Sequence, residues 1–96
     1  MTLDELVARD QRRRIVDLLA GDRGYSHNLH VLRSCLAALG HDVGVDRVRK
    51  LVDWLAAAGL VEIVSEDPPV TARLTARGLD VAEGRTVVRG VALPTP

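Results

Sequence analysis

Apolar residues recur at helical spacing through the first half of the chain. Leu3, Leu6, Val7, Ile15, Leu18 and Leu19 fall on one stripe, with Gln11 as its polar member, and predict a helix over 3–20 that Gly21 ends. Thr2 followed three residues later by Glu5 has the form of a capping box, the hydroxyl accepting the Glu5 N–H while the carboxylate reaches back. Asp10 with Arg14, and Arg13 with Asp17, sit four apart and pair on the surface for roughly 0.2–0.5 kcal/mol each. After the turn-rich GDRGYSHN, in which Ser26 or Asn28 serves as cap, the stripe Leu29, Leu32, Leu36 and Leu39 predicts a short helix over about 28–39, closed by Gly40. The connection HDVG leads to a third stripe, Val45, Val48, Leu51, Val52 and Leu55, which ends at Gly59. Asp46, Arg47, Arg49, Lys50 and Asp53 fall on its opposite, solvent-facing side. Two helices joined by so short a link, the second with a free polar face, carry the signature of a helix-turn-helix.

Beyond Gly59 the period changes. Leu60, Val61, Ile63 and Val64 are apolar and mostly β-branched, which predicts a strand. Ser65-Glu66-Asp67-Pro68-Pro69 forms a turn, and Val70–Thr75 returns antiparallel to complete a hairpin. Thr75 then caps a last short helix over about 76–84, with Leu79 and Ala82 inward; Gly78 inside it argues against a helix. The closing TVVRGVALPTP is apolar and Pro-terminated, and reads equally as an edge strand, an arm laid on a partner or a loose tail. The expectation is a mainly α fold with a small β-hairpin, in the order of a winged helix-turn-helix, with one domain over 1–86 and a C-terminal arm or tail over 87–96.

Composition narrows the function. Ninety-six residues, 47% hydrophobic and 27% charged, suit one globular domain. Thirteen basic residues balance thirteen acidic ones, so any nucleic-acid partner must be met by a local patch rather than by net charge. With no Phe, one Trp and one Tyr, the chain lacks a platform for stacking single-stranded bases. One cysteine makes no internal disulfide, no signal-like segment precedes TLDELVARD, and no apolar run approaches the roughly 20 residues of a membrane span. A cytoplasmic protein of a bacterial host cell is expected, with no membrane partner.

The passage VDRVRKLVDWLAAAGLVEI, followed by a turn and ARLTARG, resembles the recognition-helix-to-wing region of ArsR- and MarR-like winged helix-turn-helix proteins, most strongly in WLAAAGLV. With TLDELVARDQRRRIVDLLA, GYSHN and LTARGLDVAEGR added, nearly the whole chain resembles a family of small winged-helix proteins carried by Mu-like phages and prophages. That resemblance implies the fold, and implies DNA binding by analogy with the superfamily. Two departures qualify it. The wing tip reads Ser65-Glu66-Asp67, which phosphate repels, where DNA-binding wings carry Arg or Lys. Metal-sensing ArsR relatives use paired cysteines, and Cys35 stands alone, so metal sensing is not carried over.

The residues nominated for duplex DNA are Arg47, Arg49 and Lys50 on the third helix, where Arg grips guanine O6 and N7, with Arg33 and His30 meeting phosphate near the start of the second. Against them stands the ordinary reading, a surface laced by Asp46–Lys50 and Arg49–Asp53 pairs. Arg12, Arg13 and Arg14 point about 100° apart and are expected on a solvated helix face. His27, His30 and Cys35 lack the four convergent ligands of a zinc site. Trp54 packs near the wing rather than stacking on bases. No catalytic constellation is found, and neither a cofactor nor a small-molecule substrate is indicated, so the chain is read as a non-enzyme. The expected function is double-stranded DNA binding as a phage or prophage transcriptional regulator or DNA-processing accessory; the alternative is a winged-helix protein-interaction adaptor in phage assembly or packaging. A homodimer is expected through Leu3, Leu6, Val7, Val87 and Val88, apolar residues in excess of what one small core needs.

Overall fold

The Thr2 hydroxyl accepts the Glu5 N–H at 3.2 Å and starts helix α1, Leu3–Ala20, while the Glu5 carboxylate lies toward Arg12, 3.7 Å away. In the computed structural model, which describes residues 1–94, α1 is followed by strand β1 (Ser26–Asn28) and helices α2 (Leu29–Ala38) and α3 (Val45–Ala57). Strands β2 (Val61–Ser65) and β3 (Thr71–Leu74) and helix α4 (Ala76–Ala82) complete the chain. Asn28 is the α2 cap, accepting from the Val31 N–H at 2.9 Å, whereas Ser26 lies in β1.

Three antiparallel strands in the order β1-β3-β2 replace the expected two-stranded hairpin. Ser26, His27 and Asn28 pair with Arg73, Ala72 and Thr71, so the fold is mixed α/β, with four helices and a small sheet, an arrangement compatible with a winged helix. The turn before β1 is built by Asp22, whose carboxylate accepts the N–H groups of Gly24 at 2.8 Å and Ser26 at 3.4 Å. These bonds, that of Gly24 foremost, hold the Asp22 carboxyl below its ordinary pKa. The β2–β3 register slips between Ile63 and Ser65, an irregularity of the bulge type near the outer end of β2.

Ile15, Val16 and Leu19 of α1 meet Leu32 and Leu36 of α2, Val48, Val52 and Leu55 of α3, and Leu60 in a core without solvent exposure. Arg13 is a correction to the solvated face expected for Arg12–Arg14. It is 4% exposed, donates to the carbonyls of Val81 at 3.0 Å and Ala82 at 2.8 Å, and bridges to Asp17. Residues 86–94 are neither an edge strand nor loose. Val91 is buried in the core, its neighbour Ala92 donates its N–H to the Arg9 carbonyl at 3.1 Å, and Arg12 donates to Gly90 O at 3.0 Å. Residues 87–94 thus strap α1, while the last two residues of the expected arm lie outside the described residues. Among the described residues no helix is long and apolar enough to cross a membrane.

Candidate functional site

Helix α3 has no side-chain N-cap and starts at Gly44, with Asp46 in its first turn. Val48, Leu51, Val52 and Leu55 bury its inner face, which leaves Asp46, Lys50 and Asp53 along the exposed crest. Arg49 stands on the flank toward the β2–β3 turn; Arg47 and Trp54 stand on the flank toward α1.

Neither nominated arginine of α3 is free. Arg49 donates from Nε to Asp53 at 2.9 Å and grips Glu66 in the β2–β3 turn with both terminal nitrogens, each at 3.0 Å. These bonds, Glu66 first, raise the Arg49 pKa, and the same fork holds the Glu66 carboxyl below its ordinary range. The Arg49–Asp53 pair is therefore present, joined by a carboxylate of the β2–β3 turn that helical spacing does not reveal. The Asp46–Lys50 pair is not found, and Lys50 makes no ion pair among the described residues.

Arg47 turns inward, a correction to its expected place on the open face. Its Nη2 donates to Gln11 Oε1 at 3.1 Å and its Nε to the same oxygen at 3.3 Å. Gln11, only 3% exposed, also meets His41 Nδ1 at 3.4 Å, and His41 Nε2 lies 2.6 Å from Asp10 Oδ2. The hydrogen-bond assignment that satisfies every partner has His41 donating from Nε2 to Asp10 and accepting at Nδ1 from the Gln11 amide. This chain of bonds ties the link between α2 and α3 to α1. Its sequence trace was a polar residue at an inward position of the first stripe, Gln11.

On α2, His30 is exposed and Arg33 half-buried, and neither makes an ion pair among the described residues. His27 faces Asp22 at 3.2 Å and Cys35 is a half-buried free thiol; among the described residues no three His, Cys, Asp or Glu side chains converge as a metal site. Of the residues nominated for a dimer, Leu3, Leu6 and Val87 are exposed at 74%, 52% and 68%. Val7 is half-buried beside a recess shared with Val43 and Arg47, and Val88 packs on the core.

Trp54 packs on the core, but its flank faces Arg12 of α1 and Gly90 of the strap, a correction to the place expected for it beside the β2–β3 hairpin. The Arg12 guanidinium stacks 4.1 Å from the ring centroid. Gly90, in the left-handed region at φ +98°, passes so close to the ring that a Cβ there would sit 2.5 Å from it.

No protein-family model matches the chain. It is 39% identical over 94 residues to uncharacterized protein gp26 of Escherichia phage Mu, covering 98% of this chain and 97% of that protein. It is 34% identical over 80 residues to an uncharacterized protein of Haemophilus influenzae, covering 82% of this chain and 78% of the other. At that identity, over almost the full length of both, the chain belongs to the family of the phage Mu protein gp26.

Proposed function

We propose that the chain is a winged helix-turn-helix protein that binds double-stranded DNA through α3, acting in the cytoplasm of the bacterial host as a regulator or DNA-processing accessory of a Mu-like phage. The observation that carries this reading is the placement of α3: packed by one face on α1 and α2, with Lys50 on its open crest and the β2–β3 wing beside it. In this reading Lys50 meets phosphate, His30 and Arg33 meet a neighbouring phosphate, and Arg49 reaches the groove by exchanging Glu66 for DNA. Exposed ion pairs exchange partners at low cost, so the Arg49–Glu66 fork lowers affinity without abolishing it. Asp46 and Asp53 are tolerated only over base edges, where a carboxylate accepts from cytosine N4. Arg47 keeps its bond to Gln11 and orients α3 on α1.

Fluorescence anisotropy with labelled duplexes, including fragments of the parent phage genome, tests this. Log affinity is expected to fall with log salt by about 0.9 per phosphate neutralised, and Lys50→Ala to weaken all sequences alike. Glu66→Gln is expected to strengthen binding severalfold by freeing Arg49 and removing a wing anion. Wild-type protein without salt-dependent affinity for any duplex would overturn the reading.

A second reading, an interaction adaptor in phage assembly or packaging, is favoured by the two acids on the α3 crest and by the exposed apolar Leu3, Leu6 and Val87. Under the DNA reading those three residues pair two copies so that both α3 helices reach half-sites. Sedimentation velocity is then expected to show a dimer, with Leu3→Ser combined with Leu6→Ser giving a folded monomer. A wild-type monomer at high micromolar concentration would remove the dimer from the proposal.

A further inference from the structure

Arg9, Arg12 and Arg89 line an open recess of about 550 Å³ whose walls include Glu5, Trp54 and Gly90. Arg12 is its fixed member: the side chain is 13% exposed, stacked on Trp54 and bonded to Gly90 O, while its Nε–H is buried without an acceptor. Burial pushes the Arg12 pKa down; Glu5 opposes this, and Arg47 and Arg9 add to it. Arg9 and Arg89 make no ion pair among the described residues, so Glu5, itself half-exposed, is the carboxylate set against three guanidinium groups.

Guanidinium forks match the oxygens of a tetrahedral oxyanion, and several of them together suit a group carrying more than one negative charge. We propose that this recess binds a phosphoryl group, with Arg9 and Arg89 donating to its oxygens and Arg12, held against Trp54, supplying fixed charge. The site is built by α1, the inner flank of α3 and the C-terminal strap, so it is separate from the α3 crest. A simple carboxylate is the poorer fit because Glu5 already offsets one of the three charges. The phosphoryl group has two sources, a free phosphate ester or the backbone of DNA lying along this flank.

Trp54 is the sole tryptophan and reports directly on the recess. Pyrophosphate titrated at constant ionic strength is expected to change its emission saturably, whereas sodium chloride and acetate are not. Arg9→Gln combined with Arg89→Gln, two side chains outside the core, is expected to weaken this binding roughly tenfold or more, with an unchanged melting temperature. Lys50→Gln is expected to leave it intact, which separates this site from α3. A short duplex that competes with pyrophosphate, and loses affinity in the double variant, identifies the backbone as the source; a duplex that does not compete identifies a free ester. A response that fails to saturate, that chloride reproduces, or that survives the double substitution overturns the proposal.

Discussion

Gly78→Ala is expected to destabilise the fold by about 3 kcal/mol, the upper end of what overpacking costs, and to lower the melting temperature by on the order of 15 °C. Gly78 is buried in α4, where an added Cβ would overlap the Leu60 carbonyl oxygen and stand 2.5 Å from Leu74 Cδ1. The leucine side chain can rotate away; the carbonyl cannot. Leu60 O accepts the Thr75 N–H at 3.0 Å and Leu60 N–H donates to Leu55 O at 2.9 Å, so the clash falls on backbone fixed from both sides. Relief requires α4 to lift from the sheet, withdrawing Val81 from the core. Gly44→Ala is the matched control: φ is −81° and nothing lies within 4 Å of the new Cβ, so thermal and urea unfolding are expected near wild type. A Gly78→Ala protein melting within a few degrees of wild type would show that α4 is not clamped as described.

The same glycine marks how far the sequence could be read. As a helix breaker it argued against α4, yet Thr75 caps that helix through the Gly78 N–H at 3.0 Å, and the missing side chain is what lets helix and strand approach. Periodicity located the first three helices well, because each of their apolar stripes exceeds two turns and has a cap or glycine at its ends: 3–20 against Leu3–Ala20, and 28–39 against Leu29–Ala38. Strand β1 was illegible. Ser26, His27 and Asn28 carry no apolar residue, and their extended backbone comes from pairing with β3, more than forty residues later. Charges followed the same divide. Arg49–Asp53 was visible at helical spacing, but Glu66 reaches Arg49 only because the β2–β3 hairpin folds beside α3. Arg9, Arg12 and Arg89 had no common signal in the sequence, since two lie on α1 and the third arrives on a strap that pattern alone left undecided.

Arg13→Ala is expected to cost about 3–5 kcal/mol, comparable with emptying a large core position. The guanidinium lies under α4 and the strap, donating to the carbonyls of Ala82 and of Val81, the latter also accepting the Gly84 N–H at 3.1 Å, at the C-terminal end of α4. Truncation removes the guanidinium donor from both carbonyls, Val81 O keeping the Gly84 N–H, and opens a void beneath Val81, Val88 and Val91. The ion pair with Asp17 contributes less, because Asp17 remains 41% exposed and hydrated when its partner is removed. The expected order of stability therefore separates capping from charge: Asp17→Ala within about 1 kcal/mol of wild type, Arg13→Lys intermediate because an ammonium lacks the fork that spans both carbonyls, and Arg13→Ala lowest. Hydrogen exchange is expected to show lost protection first in α4 and at Ala92, whose N–H is held by Arg9 O. Loosening the strap should also displace Gly90 from Trp54, so the emission of Trp54 is expected to change in Arg13→Ala before global unfolding. Equal stabilities for Arg13→Ala and Asp17→Ala would instead assign the end of α4 to water, and would leave the strap to be held by Val91, the Ala92–Arg9 bond and the Arg12–Gly90 bond.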